Sequence, residues 1–236
     1  MNLQFITSIT QSYWNSVGRY CINTWDLPGE VIIYIDQKDG DIDWIQSLPF
    51  RKKLINVPTL EIKNNEIKKN KKVRKFWGKA CSQIHAIRNR PADTRIIWLD
   101  ADIEQIDSVD ETLFDFEFSE NVAIMHSNSY SEDCFETGLV IFNQQAKKLS
   151  LFASRYEQFW NNDDDLSSLF RPYDALVLGA VSERHDYLNL VENECDNIDA
   201  LKNTIFGDYF KHWINKDNKK ELKDFRKMEQ SNDEIC

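Results

Sequence analysis

The chain has 236 residues, 42 % of them hydrophobic and 29 % charged, with a net charge of -10 at pH 7. That is apolar material for the core of one α/β domain, and the acidic balance excludes general nucleic-acid binding. No apolar run approaches the roughly 18 residues of a membrane span. The five cysteines, Cys21, Cys81, Cys134, Cys195 and Cys236, are odd in number, scattered and without metal-type spacing, which fits a reducing, cytoplasmic setting.

The opening segment MNLQFITSIT lacks a basic n-region and a small-residue cleavage site, so it reads as a first strand, Leu3 to Thr7, and not as a secretory signal. A helix follows from Gln11 to Cys21. DLPGE is a turn, and VIIYID is a second buried strand that closes on Asp36. DQKDGD breaks that pattern, and the segment from 41 to 69 reads as irregular. Helix resumes near Lys71, where Phe76, Ala80, Ile84 and Ile87 share one face. NRPAD ends it, and a strand over 95–99 follows. This β-α-β-α-β order predicts a parallel sheet, with ligands gathered at the carboxyl ends of its strands.

Beyond it, Asn121 to Met125 and Gly138 to Asn143 read as strands, Gln144 to Trp160 as a helix, NNDDD as a loop and Tyr173 to Val181 as a helix. A mixed, aromatic stretch runs to Ile214. From Asn215 the sequence is polar and has no core-forming face. The expectation is an α/β fold: a single domain over 1–214 with a mostly parallel central sheet flanked by helices, then a polar tail over 215–236. There are no internal repeats. The charge is uneven: Arg51 to Lys79 holds eleven Lys/Arg against Glu61 and Glu66, or +9, which leaves -19 for the rest. This basic block reads as a solvated face from which one or two members meet a phosphate.

Asp-x-Asp recurs in this acidic chain, at Asp39/Asp41, Asp41/Asp43 and Asp163/Asp165, always among polar residues. The copy at Asp100 and Asp102 differs because the apolar run Ile96, Ile97, Trp98 and Leu99 launches it. In a strand, residues i and i+2 point the same way, so both carboxylates are expected on one side of the sheet mouth. Two like charges that close repel and are costly to desolvate, and a divalent cation removes both problems. Hard oxygen ligands suit Mn²⁺ or Mg²⁺, commonly completed by substrate phosphates. A capping Asp in the turn after the strand explains one of the two carboxylates and not both.

Here the sequence resembles the glycosyltransferases of GT-A fold that carry an Asp-x-Asp metal motif, and is most similar to small bacterial and viral sugar transferases of LPS and capsule type. The resemblance spans residues 3 to 214. KFWGKACSQIHAI at 75–87 resembles the Lys-bearing helix before the motif, and FETGLVIFN at 135–143 a segment with acceptor-side residues. PYDAL at 172–176 resembles a later acidic motif, and FGDYFKHWI at 206–214 the segment supplying a third metal ligand. The resemblance implies that Asp100 contacts the donor ribose or shares the metal, that Asp102 binds the metal and that His212 is the third ligand, with His126 the competing histidine. Lys79 would neutralise the donor diphosphate, with Lys75 and Lys211 as alternatives. Thr7, Ser8 and Thr10 lie where the nucleotide is expected, and Asp36 is placed to accept a hydrogen bond from the base. Gly207 would allow close approach to a phosphate. Glu136 and Asp174 are the acids expected at the acceptor sugar, one of them a general base if the reaction inverts; the sequence leaves inverting and retaining chemistry both open. Ala175 departs from the Gln common in relatives.

The expected activity is metal-dependent transfer, a hexosyl transfer by resemblance, from a nucleotide-diphosphate sugar (UDP-type favoured) to a glycan or lipid-linked acceptor. Membrane contact would be at most peripheral, through the basic block, and the oligomeric state is open. An inactive binding or scaffold protein on the same fold is the alternative from another class. A HAD-type phosphotransferase would use Asp100 as a nucleophile, but Glu104 stands where such enzymes carry Thr or Val, and the motif lies a hundred residues into the chain. A nucleotidyltransferase would need a Gly-rich loop at the first strand, where this chain has TSITQS.

Overall fold

The computed structural model describes residues 1–35, 52–56, 63–91, 93–127, 134–143, 149–169, 173–183, 186–191 and 199–213. Asp36 and the 215–236 tail lie outside these. The elements run β1 (Asn2–Ile9), α1 (Gln11–Tyr13), a π-helical segment (Trp14–Gly18), α2 (Arg19–Asn23), β2 (Glu30–Ile35), β3 (Lys52–Asn56), α3 (Asn65–Lys69), α4 (Lys71–Asn89), β4 (Thr94–Leu99) and β5 (Ile103–Gln105). After a 3₁₀ turn (Glu111–Phe114) come β6 (Val122–Ser127), β7 (Cys134–Phe142), α5 (Leu149–Asn161), α6 (Asp163–Ser167), α7 (Asp174–Glu183), β8 (Tyr187–Asn189), a second 3₁₀ turn (Ala200–Asn203) and β9 (Phe210–His212).

Among the described residues, seven strands form one sheet in the order β3-β2-β1-β4-β7-β6-β8. The pairs β1–β2, β1–β4, β2–β3 and β6–β8 are parallel, while β7 is antiparallel to both of its neighbours, β4 and β6. The largely parallel α/β sheet expected from the β-α-β order is therefore present, with β7 reversed within it. β4 is buried along its whole length because both faces are covered, as its unbroken apolar run requires. Ile6, Ile96 and Trp98 face α4, α5 and α7 on one side. Phe5, Ile97 and Leu99 face Trp14, Phe114, Phe206 and Phe210 on the other. On α4 the expected apolar face packs inward, and Trp77 meets Trp160 of α5 with ring centroids 5.9 Å apart.

Three parts of the sequence expectation are corrected. Within 41–69, read as irregular, lie β3 and α3. β3 is an edge strand whose lysines mask its pattern, as charged edges commonly do. NNDDD is a helix start: Asn162 accepts hydrogen bonds from the backbone N–H of Asp164 and Asp165, and three aspartates occupy the first turn, where the helix dipole favours them. The mixed stretch before Ile214 contains β9, which pairs antiparallel with β5 in a separate two-stranded sheet, Ile103 opposite His212 and Gln105 opposite Phe210.

The reversed strand and the small sheet together bring distant residues to the carboxyl end of β4. Because β7 runs against β4, its N-terminal half lies beside the end of β4: Leu99 pairs with Leu139, and Asp100 N–H donates to the Gly138 carbonyl at 2.7 Å. The β6–β7 register jumps from Ile124/Val140 to Met125/Glu136, so residues 137–139 bulge out of the β6 ladder. On the other side, Trp213 N–H donates to the Asp102 carbonyl at 3.0 Å. The Trp213 indole N–H donates to the buried Glu104 carboxylate, also at 3.0 Å. Trp213→Phe keeps the ring but takes a partner from a buried carboxylate. It should destabilise the fold by about 1–3 kcal/mol, read as a lowered urea midpoint at unchanged m-value.

Candidate metal and donor site

Asp100 and Asp102 do not lie on one strand. β4 stops at Leu99, and the chain turns at once, with Ile103 N–H donating to the Asp100 carbonyl at 3.0 Å. The turn, and not strand alternation, brings the two carboxylates together. β9 then delivers His212. One ligand atom from each of Asp100, Asp102 and His212 lies within 4.8 Å of the others, a spacing that suits one cation. Two carboxylates and an imidazole are a donor set for a divalent first-row metal or Mg²⁺.

Each member is held by neighbours. Asp100 Oδ1 accepts from the Lys79 ammonium at 2.8 Å and the Trp98 indole at 2.7 Å. Its side chain keeps 28 % of its surface open to the cavity, and burial raises its carboxyl above the usual range against the pull of Lys79. Asp102 accepts from the Tyr13 hydroxyl at 2.6 Å through Oδ2 and meets His212 Nε2 at 3.2 Å through Oδ1. Burial and the Asp102 charge together raise the Tyr13 hydroxyl, which stays a neutral donor. On its other side, His212 Nδ1 faces Glu136 Oε1 at 3.6 Å. Burial alone would lower His212, but Asp102 and Glu136 outweigh it and raise the imidazole to about 9.

Lys79 reaches the site from α4 as an ammonium with all its protons engaged. It meets Asp100 Oδ1 at 2.8 Å, Asp174 Oδ2 at 2.7 Å and the Thr137 carbonyl at 2.9 Å. Burial opposes the charge, but the two carboxylates raise the group above its ordinary value. Three N–H bonds are all an ammonium has, so Lys79 has no donor left for a diphosphate, the role expected of it. Asp174 also accepts from the Thr137 hydroxyl at 2.8 Å. Burial would raise its carboxyl, but Lys79 and that hydroxyl hold it below the usual range. Burial pushes Glu136 up.

These groups line a cavity of about 670 Å³. Of the other expected residues, Ser8, Thr10, Lys75 and Ala175 also line it. Thr7 is fully buried and lies off the cavity wall, because its neighbour Ser8 takes the outward position. Gly207 packs elsewhere: a Cβ there would stand 2.8 Å from Lys202 Cα and 2.9 Å from the Leu201 carbonyl, so its small size serves a backbone crossing. Lys211 projects away from the cavity, its ammonium 3.7 Å from the centre of the Trp213 ring. His126 packs against Phe135 and Tyr187. Tyr13, Trp98, Thr137 and Gly138 were not foreseen as parts of the site. Trp98 left a signal by standing two residues before Asp100, and Thr137 and Gly138 lie within FETGLVIFN, while Tyr13 left none.

No protein-family model matches the chain, and no curated relative matches it. Solved structures do. The chain is similar to the glycosyltransferase GlyE of Streptococcus pneumoniae TIGR4, with 11 % identity and a TM-score of 0.52, over 80 % of this chain and 46 % of that one. It thus spans about half the length of GlyE. It is similar to the galactosyltransferase LgtC, solved with donor and acceptor sugar analogs, with 11 % identity and a TM-score of 0.56 over 90 % and 87 % of the two chains. A glycosyltransferase involved in glycosylation of the major capsid of PBCV-1 matches over 94 % of this chain and all of its own, with 12 % identity and a TM-score of 0.52. The fold is GT-A-like.

The His212 shift sets a pH dependence for the cation-free protein. An imidazole raised from 6.5 to about 9 contributes stability that is fully present below pH 6.5 and is lost as pH rises through about 9. The loss is on the order of 3 kcal/mol. Thermal melts in EDTA should show this decline between those limits, and His212→Gln should flatten it.

Proposed function

We propose that the protein is a divalent-cation-dependent glycosyltransferase that moves a sugar, a hexose by resemblance, from a nucleotide-diphosphate donor of UDP type to a glycan or lipid-linked acceptor. One observation carries the reading. Asp100, Asp102 and His212 converge beside a cavity of about 670 Å³ at the carboxyl end of β4 in a GT-A-like fold, where ligands of such sheets gather. Mn²⁺ or Mg²⁺ fits the donor set, and would offset charge on the departing diphosphate. Glu136 and Asp174 add two carboxylates beside Asp100 and Asp102, and the buried Lys79 ammonium pairs with Asp100 and Asp174, so a cation also relieves the remaining repulsion.

The chain's own residues divide the remaining work. Ser8 and Thr10 line the wall at the end of β1, the side this reading gives to the nucleotide. Lys75, one turn before Lys79 on α4, is exposed at the rim and, of the two described lysines that line the cavity, is the one open to a diphosphate. Phe76 and Tyr173, with ring centroids 5.2 Å apart, form an aromatic edge against which a pyranose can lie. Asp174, immobilised by Lys79 and Thr137, is a fixed acceptor for a sugar hydroxyl. In the reaction the bond from anomeric carbon to phosphate oxygen breaks with its electron pair leaving on the nucleoside diphosphate, a bond to the acceptor oxygen forms, and the proton of the acceptor hydroxyl passes to a general base in an inverting reaction or to the departing diphosphate in a retaining one. Cys21 and Cys81 are buried and not disulfide-bonded, which suits the cytoplasmic setting included in this proposal. Among the described residues no helix is long and apolar enough to cross a membrane.

The test is a panel of nucleotide sugars with Mn²⁺, scored for nucleoside diphosphate and for inorganic phosphate. Release of nucleoside diphosphate from a UDP-sugar, abolished by EDTA and lowered on the order of 100–1000-fold in Asp102→Asn, is the expected result. Activity indifferent to both would remove the metal reading, and phosphate release alone would favour a phosphotransferase. Separately, Lys75→Ala should weaken UDP binding by about 1.5–3 kcal/mol, the worth of a charge-assisted hydrogen bond. Calorimetry showing unchanged affinity would return Lys75 to the solvated face.

A further inference from the structure

We propose that Glu136 is a positioning residue for His212: its carboxylate holds the proton of Nδ1 and thereby presents Nε2 to the cation held with Asp100 and Asp102. The inference rests on the cation-dependent reading above and assigns Glu136 a task other than contact with the acceptor.

The geometry is asymmetric in a useful way. His212 stands between two carboxylates, with Nε2 3.2 Å from Asp102 Oδ1 and Nδ1 3.6 Å from Glu136 Oε1. Nε2 is the nitrogen on the cluster side. Nδ1 is buried and has no hydrogen-bond partner among the described residues, where Glu136 is the carboxylate within ion-pair distance. An imidazole that ligates a metal through one nitrogen carries its proton on the other, and ligating histidines almost always donate that proton to a carboxylate, carbonyl or water. Glu136 is the acceptor already in place, and a shift of a few tenths of an ångström makes the hydrogen bond.

Two local features favour that role. Glu136 Oε1 accepts the Gly138 backbone N–H at 2.7 Å, which turns the carboxylate back along its own strand toward His212. Residue 138 has to lack a side chain for the pair to meet. A Cβ there would lie 2.5 Å from His212 Cε1, 2.7 Å from Nδ1 and 3.0 Å from Glu136 Oε1. The bulge at 137–139 places this bare backbone against the ring. The approach joins the main sheet, through β7, to the small sheet, through β9, at the Nδ1–Cε1 edge of the ring whose Nε2 would ligate the metal.

The experiment uses the full chain. Free Mn²⁺ is titrated by electron paramagnetic resonance against wild type, Glu136→Ala and Glu136→Gln, with melting curves recorded in EDTA. The His212 ring is observed by ¹⁵N NMR in the Mg²⁺-loaded wild type, assigned by its loss in His212→Gln. Glu136→Ala should weaken Mn²⁺ binding about 10–100-fold. Glu136→Gln should keep most of the affinity, because its amide oxygen still accepts from Nδ1. The wild-type ring should carry its proton on Nδ1. Wild-type Mn²⁺ affinity in Glu136→Ala, with only turnover lost, would overturn the assignment and make Glu136 an acceptor-side group. A Mg²⁺-loaded wild type protonated on Nε2 would overturn it without any variant, even if Glu136→Ala failed to fold. Wild type that binds no Mn²⁺ would instead remove the cation reading, and this inference with it.

Discussion

Lys79 brings a positive charge from α4 to the mouth of the sheet, where it is only 7 % exposed. Such a charge is tolerated only when paired and fully hydrogen-bonded. Its partners come from the end of β4, the start of α7 and the bulge of β7, so one ammonium fixes three elements that are distant in sequence. The two carboxylates could not sit so close without it. Lys79 occupies Oδ1 of Asp100 together with the Trp98 indole, which leaves the other oxygen of Asp100 for the cavity. The orientation of that aspartate is thus a by-product of charge balance within the fold.

The reversed strand is the second constraint. A parallel neighbour would bring its carboxyl end to the end of β4. The antiparallel β7 brings the start of its ladder instead, which is how Glu136, Thr137 and Gly138 come to lie beside Asp100. The bulge then frees the Thr137 carbonyl for Lys79 and bares the backbone at Gly138. On the opposite flank β9 is short, but its position is over-determined by the β5 ladder, the Trp213 backbone bond to Asp102 and the indole bond to Glu104. That redundancy lets a three-residue strand place an imidazole accurately.

Much of this was legible in the residues. The apolar run ending in Asp100-Ala101-Asp102 marked both the central strand and the place where it stops, because few buried strands end in paired carboxylates. The face of α4 was legible from its spacing, while His212 entered through the resemblance of FGDYFKHWI to a ligand-bearing segment. What could not be read depends on tertiary partners. β3 is polar because it is an edge, α6 is acidic because it begins a helix, and β9 is too short to show a period. Gly207 looked like a phosphate-binding glycine, yet the same lack of a side chain serves a crossing of two backbones. Lys79, which the resemblance implied would meet the diphosphate, is buried instead, because a long side chain that can reach a diphosphate can equally reach two carboxylates. Tyr13 gave no signal, since its hydrogen bond to Asp102 spans 89 residues.

The distance along the chain between the candidate ligands has its own meaning. His212 and Asp102 are 110 residues apart, and the pairing of β9 with β5 is what brings them together. A chain still emerging from the ribosome, or one cut between them, holds both aspartates and lacks the third donor. Closing so large a loop is entropically unfavourable and slow, and a ligand that binds only the closed form stabilises it by mass action. A cation held by all three donors would therefore favour the state in which β9 has docked on β5.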